Sequence, residues 1–147
     1  MKSGKYEDKE GTVHWYKWGE LHREDGPAVE GANGTKEWYL NGLRHRVDGP
    51  AYEEPNGDQE WLVNGVLHRS DGPAIEDIDG YQAWYLNGVK HRLDGPAVVY
   101  PDGDKEWWLE GVEYSEEEFN HFLAKKALND KLSTDLEEKE GKTKAKI

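Results

Sequence analysis

Trp38-Tyr39-Leu40-Asn41-Gly42-Leu43-Arg44-His45-Arg46-Val47-Asp48-Gly49-Pro50-Ala51 is the stretch that decides the fold, because the chain writes it repeatedly with small changes. Its tryptophan recurs every 23 residues, as Trp15, Trp38, Trp61, Trp84 and Trp107. Gly19, Gly42, Gly65, Gly88 and Gly111 keep the same step, as do Gly11, Gly34, Gly57, Gly80 and Gly103. The block His-Arg-x-Asp-Gly-Pro-Ala begins at His22, His45, His68 and His91. A fixed period of this length is the signature of stacked repeats, and it favours an extended binding surface over a single catalytic pocket.

Working outward, each unit reads as strand, turn, strand, turn. In the second unit Ala51–Pro55 is a short strand and Asp58–Val63 the return strand. Between them, Asn56-Gly57 predicts a two-residue turn with positive φ at both positions. Asn33-Gly34, Asp79-Gly80 and Asp102-Gly103 are its equivalents, and Asn64-Gly65 turns the chain again. Aromatic and β-branched residues suit a pleated sheet. Alternation along a strand puts Trp38 and Leu40 on one face, Glu37 and Tyr39 on the other. Trp61/Val63 and Trp84/Leu86 repeat the pattern, which predicts a ladder of tryptophans stacked along one face.

The flanks differ in character. Residues 1–10 are polar and read as a flexible N-terminus, residues 11–111 as the array. Ser115-Glu116-Glu117-Glu118 is a capping box that opens a helix over 112–136, with Phe119, Phe122, Leu123 and Ala127 as an apolar stripe. An open array needs a cap, and that helix is the expected one. Residues 137–147 have the composition of a solvated, disordered tail. The fold class is therefore mainly β, an elongated single-layer stack of antiparallel β-hairpins with one C-terminal helix.

Net charge is −12, and the acid belongs to the repeats: residues 1–111 carry 22 acidic and 12 basic side chains, residues 112–147 nine and seven. Such a body repels nucleic acid and anionic membranes and steers toward a basic protein. There are no cysteines, which fits a reducing cytoplasm. No stretch approaches the roughly 18 apolar residues of a membrane helix, and no phosphate loop, zinc motif, nucleophile elbow or dinucleotide fingerprint occurs. No cofactor is implied.

With the period and the Trp-Tyr-Leu-Asn-Gly-x-x-His-Arg-x-Asp-Gly-Pro-Ala text in view, residues 11–111 resemble MORN-type repeats, in a divergent bacterial and phage form with His-Arg-x-Asp-Gly-Pro in place of His-Gly-x-Gly. The resemblance implies a stack of β-hairpins and a partner-binding role. It points to a small phage or bacterial inhibitor or immunity-like protein acting in the cytoplasm of the bacterial or infected cell.

The four histidines could suggest metal or acid–base work, but equivalent residues lie two strands apart, about 10 Å at ~4.8 Å per strand. A shared zinc needs each donor within about 2.1 Å. The expectation is no catalytic and no metal site, with His, Arg and Asp serving the turns. Arg23, Arg46, Arg69 and Arg92 carry an alternative reading as a nucleotide or small-anion row, and a purely structural scaffold is another. The protein-binding candidates are Tyr16, Tyr39, Tyr85 and Trp108, flanked by Glu37, Glu60 and Glu106. They form either an interface or a second packed face. Self-association through the N-terminal sheet edge is a further expectation.

Overall fold

The structure is a computed structural model describing residues 1–145. Among these residues it holds 18 antiparallel strands in open sheets and one helix. Two compact units divide it, Met1–Glu113 and Tyr114–Ile147.

In the first unit the main sheet is a meander. It opens with β1 (Gly4–Glu7) and β2 (Val13–Lys17) and continues through Val29–Glu30, Lys36–Glu37, Tyr52–Glu53, Gln59–Glu60, Ile75–Glu76, Gln82–Ala83 and Val98–Val99 to Lys105–Leu109. Each repeat adds two strands, a step of about 10 Å. One register line crosses the sheet through Glu37, Tyr52, Glu60, Ile75, Ala83, Val98 and Glu106.

The return strand does not run unbroken. Instead of one strand over Asp58–Val63 there are two, Gln59–Glu60 and Leu62–Val63, with Trp61 between them. The chain changes partners at the tryptophan. Trp61 N donates to Ala74 O at 2.7 Å, and Trp61 O accepts from His68 N at 3.0 Å. Beyond it the strand leaves the main sheet and folds back on Val66–Leu67 as a two-stranded hairpin.

Two kinds of turn follow. Asn64 and Gly65, at φ 50° and 80°, have the paired positive φ of a two-residue hairpin, and Asn41-Gly42 and Asn87-Gly88 match them. Asn56-Gly57 differs from the expectation, since Gly57 alone has positive φ. There Gly57 N donates to Glu54 O and Glu54 N to Asp58 O, closing a three-residue loop that ends in a left-handed glycine. The cause is the asparagine itself, whose Oδ1 accepts from Asp58 N at 2.9 Å. Asn33, Asp79 and Asp102 do the same two residues on.

The core is thin. Ala28, Ala51, Ala74 and Ala97 are fully buried, joined by Leu62, Ala83, Val98 and Leu109. Small side chains suit a single layer, where backbone approaches backbone.

Residues 1–10, expected to be flexible, instead join the sheet: β1 pairs with β2 from Gly4↔Tyr16 to Glu7↔Val13. Gly19 N donates to Lys2 O and Trp18 N to Ser3 Oγ, so this segment satisfies backbone groups that the first repeat would leave bare. The N-terminal sheet edge is therefore β1, a four-residue strand carrying Lys5 and Glu7.

In the second unit, α1 (Glu116–Ala145) starts at the expected capping box. Glu118 N donates to Ser115 Oγ at 3.1 Å, and Ser115 N to Glu118 Oε1 at 3.3 Å. Phe119 is buried, while Phe122, Leu128, Leu132 and Leu136 are exposed. The helix passes the expected boundary at 136 and runs through 137–145, because Glu, Lys and Ala are strong helix formers. Of the tail expected to be disordered, residues 146 and 147 lie outside the described residues.

Candidate functional site

The repeated block is built as a clamp. The Arg69 guanidinium lies over the Trp61 ring, 4.0 Å from its centroid. Its Nε donates to Asp71 Oδ1 at 3.0 Å and its Nη1 to Pro73 O at 3.1 Å, with Glu76 Oε2 at 3.5 Å. Gly72 comes so close that a Cβ there would stand 2.8 Å from Arg69 Cζ. A methyl group there would push the guanidinium away from its present place.

The same clamp forms at Arg23, Arg46 and Arg92, whose guanidinium carbons lie 4.3, 4.0 and 3.8 Å from the Trp15, Trp38 and Trp84 centroids. Asp25, Asp48 and Asp94 hold the Nε atoms, and Pro27, Pro50 and Pro96 carbonyls accept from Nη1. The fourth clamp lacks the glutamate, since Val99 stands where the others have Glu30, Glu53 and Glu76. Trp107 has no such arginine, because Ser115 occupies the equivalent position. The expected stacking of tryptophan on tryptophan is replaced: among the described residues the paired rings are Tyr6–Tyr16, His14–Tyr16 and Tyr81–Tyr100. An arginine covers each ring from Trp15 to Trp84 instead.

The histidine that opens each block links one repeat to the next. Asn87 N donates to His68 Nδ1 at 2.9 Å, and Asn41, Asn64 and Glu110 donate in the same way to His22, His45 and His91. An Nδ1 that accepts requires the imidazole proton on Nε2. The arginines and histidines thus spend these groups on the array's own geometry.

The aspartates differ in exposure. The Arg69 side chain is 19% exposed and that of Asp71 78%; for Arg92 and Asp94 the values are 21% and 84%. The hydrogen bond from Arg92 holds the Asp94 carboxyl below its ordinary value. Solvent therefore meets the carboxylates, while the cations lie against tryptophan.

Between consecutive blocks lie three equivalent clefts, of about 570, 370 and 520 Å³. Their apolar linings are Trp38 with Leu40, Trp61 with Val63, and Trp84 with Leu86. Asp25 and Asp48, then Asp48 and Asp71, then Asp71 and Asp94 stand along them. The residue between Arg and Asp, which sequence reasoning passed over, also lines them: Glu24, Val47, Ser70 and Leu93.

The candidate interface residues fall into several separate contacts. Tyr39 Oη accepts from Arg44 Nε at 3.1 Å, and Arg44 also pairs with Glu37. Burial pulls against the Arg44 cation, but hydrogen bonds to Glu37 and Tyr39 raise it above its ordinary value overall. Trp108 Nε1 donates to Glu106, and Lys90 lies 4.5 Å above the Trp108 centroid. Tyr16 packs between Tyr6 and His14, and Glu60 sits in register between Tyr52 and Ile75. The Tyr52 hydroxyl donates to Glu54, and that bond pushes its pKa up to about 12. Tyr16, Tyr39, Tyr85, Trp108, Glu37, Glu60 and Glu106 are all half-buried. Arg44 and Lys90 were missed, although each stands directly across a two-residue hairpin from Tyr39 or Tyr85.

No helix among the described residues is long and apolar enough to cross a membrane. No protein-family model matches the chain, and no curated protein sequence matches it.

Proposed function

We propose that the chain is a non-enzymatic repeat module that binds a protein through its acidic surface. The carrying observation is the asymmetry of the clamps: arginines turned inward on tryptophan, aspartates left at 78–87% side-chain exposure. Carboxylates repeated along the array attract a basic surface and hold anions away. The likeness to MORN-type repeats supports the sharper form, a small phage or bacterial inhibitor or immunity-like protein that blocks a basic site on its target. Arg23, Arg46, Arg69 and Arg92 direct their Nε and Nη1 groups into the array and lie mostly covered, which disfavours the nucleotide reading.

The test is titration with polylysine and with ATP, followed by tryptophan fluorescence. Saturable polylysine binding that weakens as salt rises supports the reading. ATP binding that raises the melting temperature with concentration overturns it in favour of a nucleotide sponge.

A further inference from the structure

The first repeat departs from the others at its two-residue turn. In the later repeats the leading position of that turn is Asn41, Asn64, Asn87 and Glu110, at φ 51°, 50°, 50° and 49°. In the first repeat it is Trp18, at φ 53°. Asparagine visits this left-handed region readily because its short side chain bonds locally, whereas a bulky residue held there is strained. Trp18 does not offset the strain by packing, since it is 70% exposed. Strain kept at an exposed indole points to a contact outside the fold.

The surroundings of Trp18 are chemically unlike the rest of the chain. Pairing of β1 with β2, with Trp18 N donating to Ser3 Oγ and Gly19 N to Lys2 O, sets residues 1–6 beside residues 14–18. These two stretches hold Lys2, Lys5 and Lys17 and no acidic side chain, a charge of +3 in a chain of −12, which leaves −15 for the remainder. Lys2 Nζ lies 5.2 Å from both the Tyr6 and Tyr16 centroids, and Lys5 Nζ 5.9 Å from that of Trp15. Among the described residues no carboxylate pairs with any of the three lysines, whereas Arg44 and Lys90 are held by Glu37 and Glu106. A cation resting over aromatic rings keeps its charge available to an outside carboxylate.

The size of the patch selects among anions. At physiological ionic strength a charge is felt over about 8 Å, so a short acidic segment meets the lysines alone. A nucleic acid or an anionic bilayer reaches past them and lies against the acidic remainder. An apolar side chain within the short segment has the Trp18 indole to pack on.

We propose that Trp18, with Lys2, Lys5, Lys17, Tyr6 and Tyr16, forms a second docking surface, which takes a short acidic segment of a partner protein and seats one of its apolar side chains on the Trp18 indole. This surface goes beyond the basic-partner reading, which concerns the clamp carboxylates, and does not depend on it.

The experiment uses the full chain and two fluorescently labelled eight-residue peptides, followed by anisotropy. One has six glutamates and two leucines; the other has serine in place of the leucines. The leucine peptide is expected to bind at least fivefold more tightly. Trp18→Asn installs the residue that three later turns carry, so it should keep or raise the melting temperature while weakening the leucine peptide at least tenfold. Lys5→Glu should weaken it at least fivefold, and Lys105→Glu, the same charge change in the last long strand of the main sheet, should leave it within about twofold. Binding of neither peptide overturns the surface, as do equal losses in Lys5→Glu and Lys105→Glu. Unchanged binding by Trp18→Asn, or a melting temperature lowered by it, overturns the role given to the indole. Two further results overturn the choice of occupant. One is tighter binding to phosphatidylserine vesicles than to the peptide, which would make the partner a lipid surface. The other is self-association that Trp18→Asn abolishes, which would make it a second copy of the chain.

Discussion

The array and the helix hold themselves together over different distances along the chain. Trp61 is covered by Arg69, eight residues on, and His68 reaches Asn87, nineteen residues on. In α1 the partners are local: Ser115 with Glu118, Lys126 with Asp130, and Thr134 donating to the Asp130 carbonyl. A repeat cannot be completed by its own residues, so damage at one position should be felt in its neighbours. A helix of local bonds loses only the turn where a bond is broken.

The sharpest way to break that contrast is Trp61→Ala. It should cost about 3–5 kcal/mol and loosen both flanking hairpins, seen as faster amide exchange at Trp38 and Trp84. Exchange confined to Trp61 and its own hairpin would show that the repeats are independent. Next comes Gly72→Ala, whose methyl group collides with the Arg69 guanidinium; the expected loss is about 2 kcal/mol in a denaturant melt. Adding Arg69→Ala should recover part of that loss, and strict additivity of the two would show that the clamp is not the cause.

His68→Ala removes the acceptor for Asn87 N and should cost about 1–2 kcal/mol. The Asn87 amide should exchange faster, a change nineteen residues from the substitution. On the helix side, Ser115→Ala should weaken the first turn by about 1 kcal/mol, with faster exchange at Glu118 and little change beyond the following turn.

The smallest effect appears in alkali. The Tyr52 pKa is raised to about 12, chiefly by its hydrogen bond to Glu54, whereas an unfolded tyrosine titrates near 10. A raised value contributes stability that is fully present below pH 10 and lost as pH climbs toward 12. Tyr52→Phe should therefore melt with a shallower decline over that range, and an unaltered decline would assign the loss to other tyrosines.

Much of this was readable from the period alone. The Asn64-Gly65 turns, the repeat step and the capping box at Ser115 follow from local chemistry. The break at Trp61 was hidden because alternation presumes that a strand keeps its partners, and nothing local marks a residue that bonds Ala74 on one side and His68 on the other. Asn56-Gly57 misled because one dipeptide serves two turns; the asparagine amide, free to cap its own loop, chose the longer one. Gly72 recurred visibly, but its reason is an arginine approaching in space. On the second face, Tyr39 and Tyr85 stood out as aromatics, while Arg44 and Lys90, which fasten that face, became visible only once the hairpin register was known.

The histidine link gives the stack a direction. Every internal joint has its acceptor on the earlier repeat and its donor on the later one. At the beginning, where no earlier histidine exists, Ser3 Oγ takes that role for Trp18 N; at the end, His91 serves Glu110 N. The array therefore has a head and a tail. A whole 23-residue unit can be spliced into its interior and will find matching neighbours on either side.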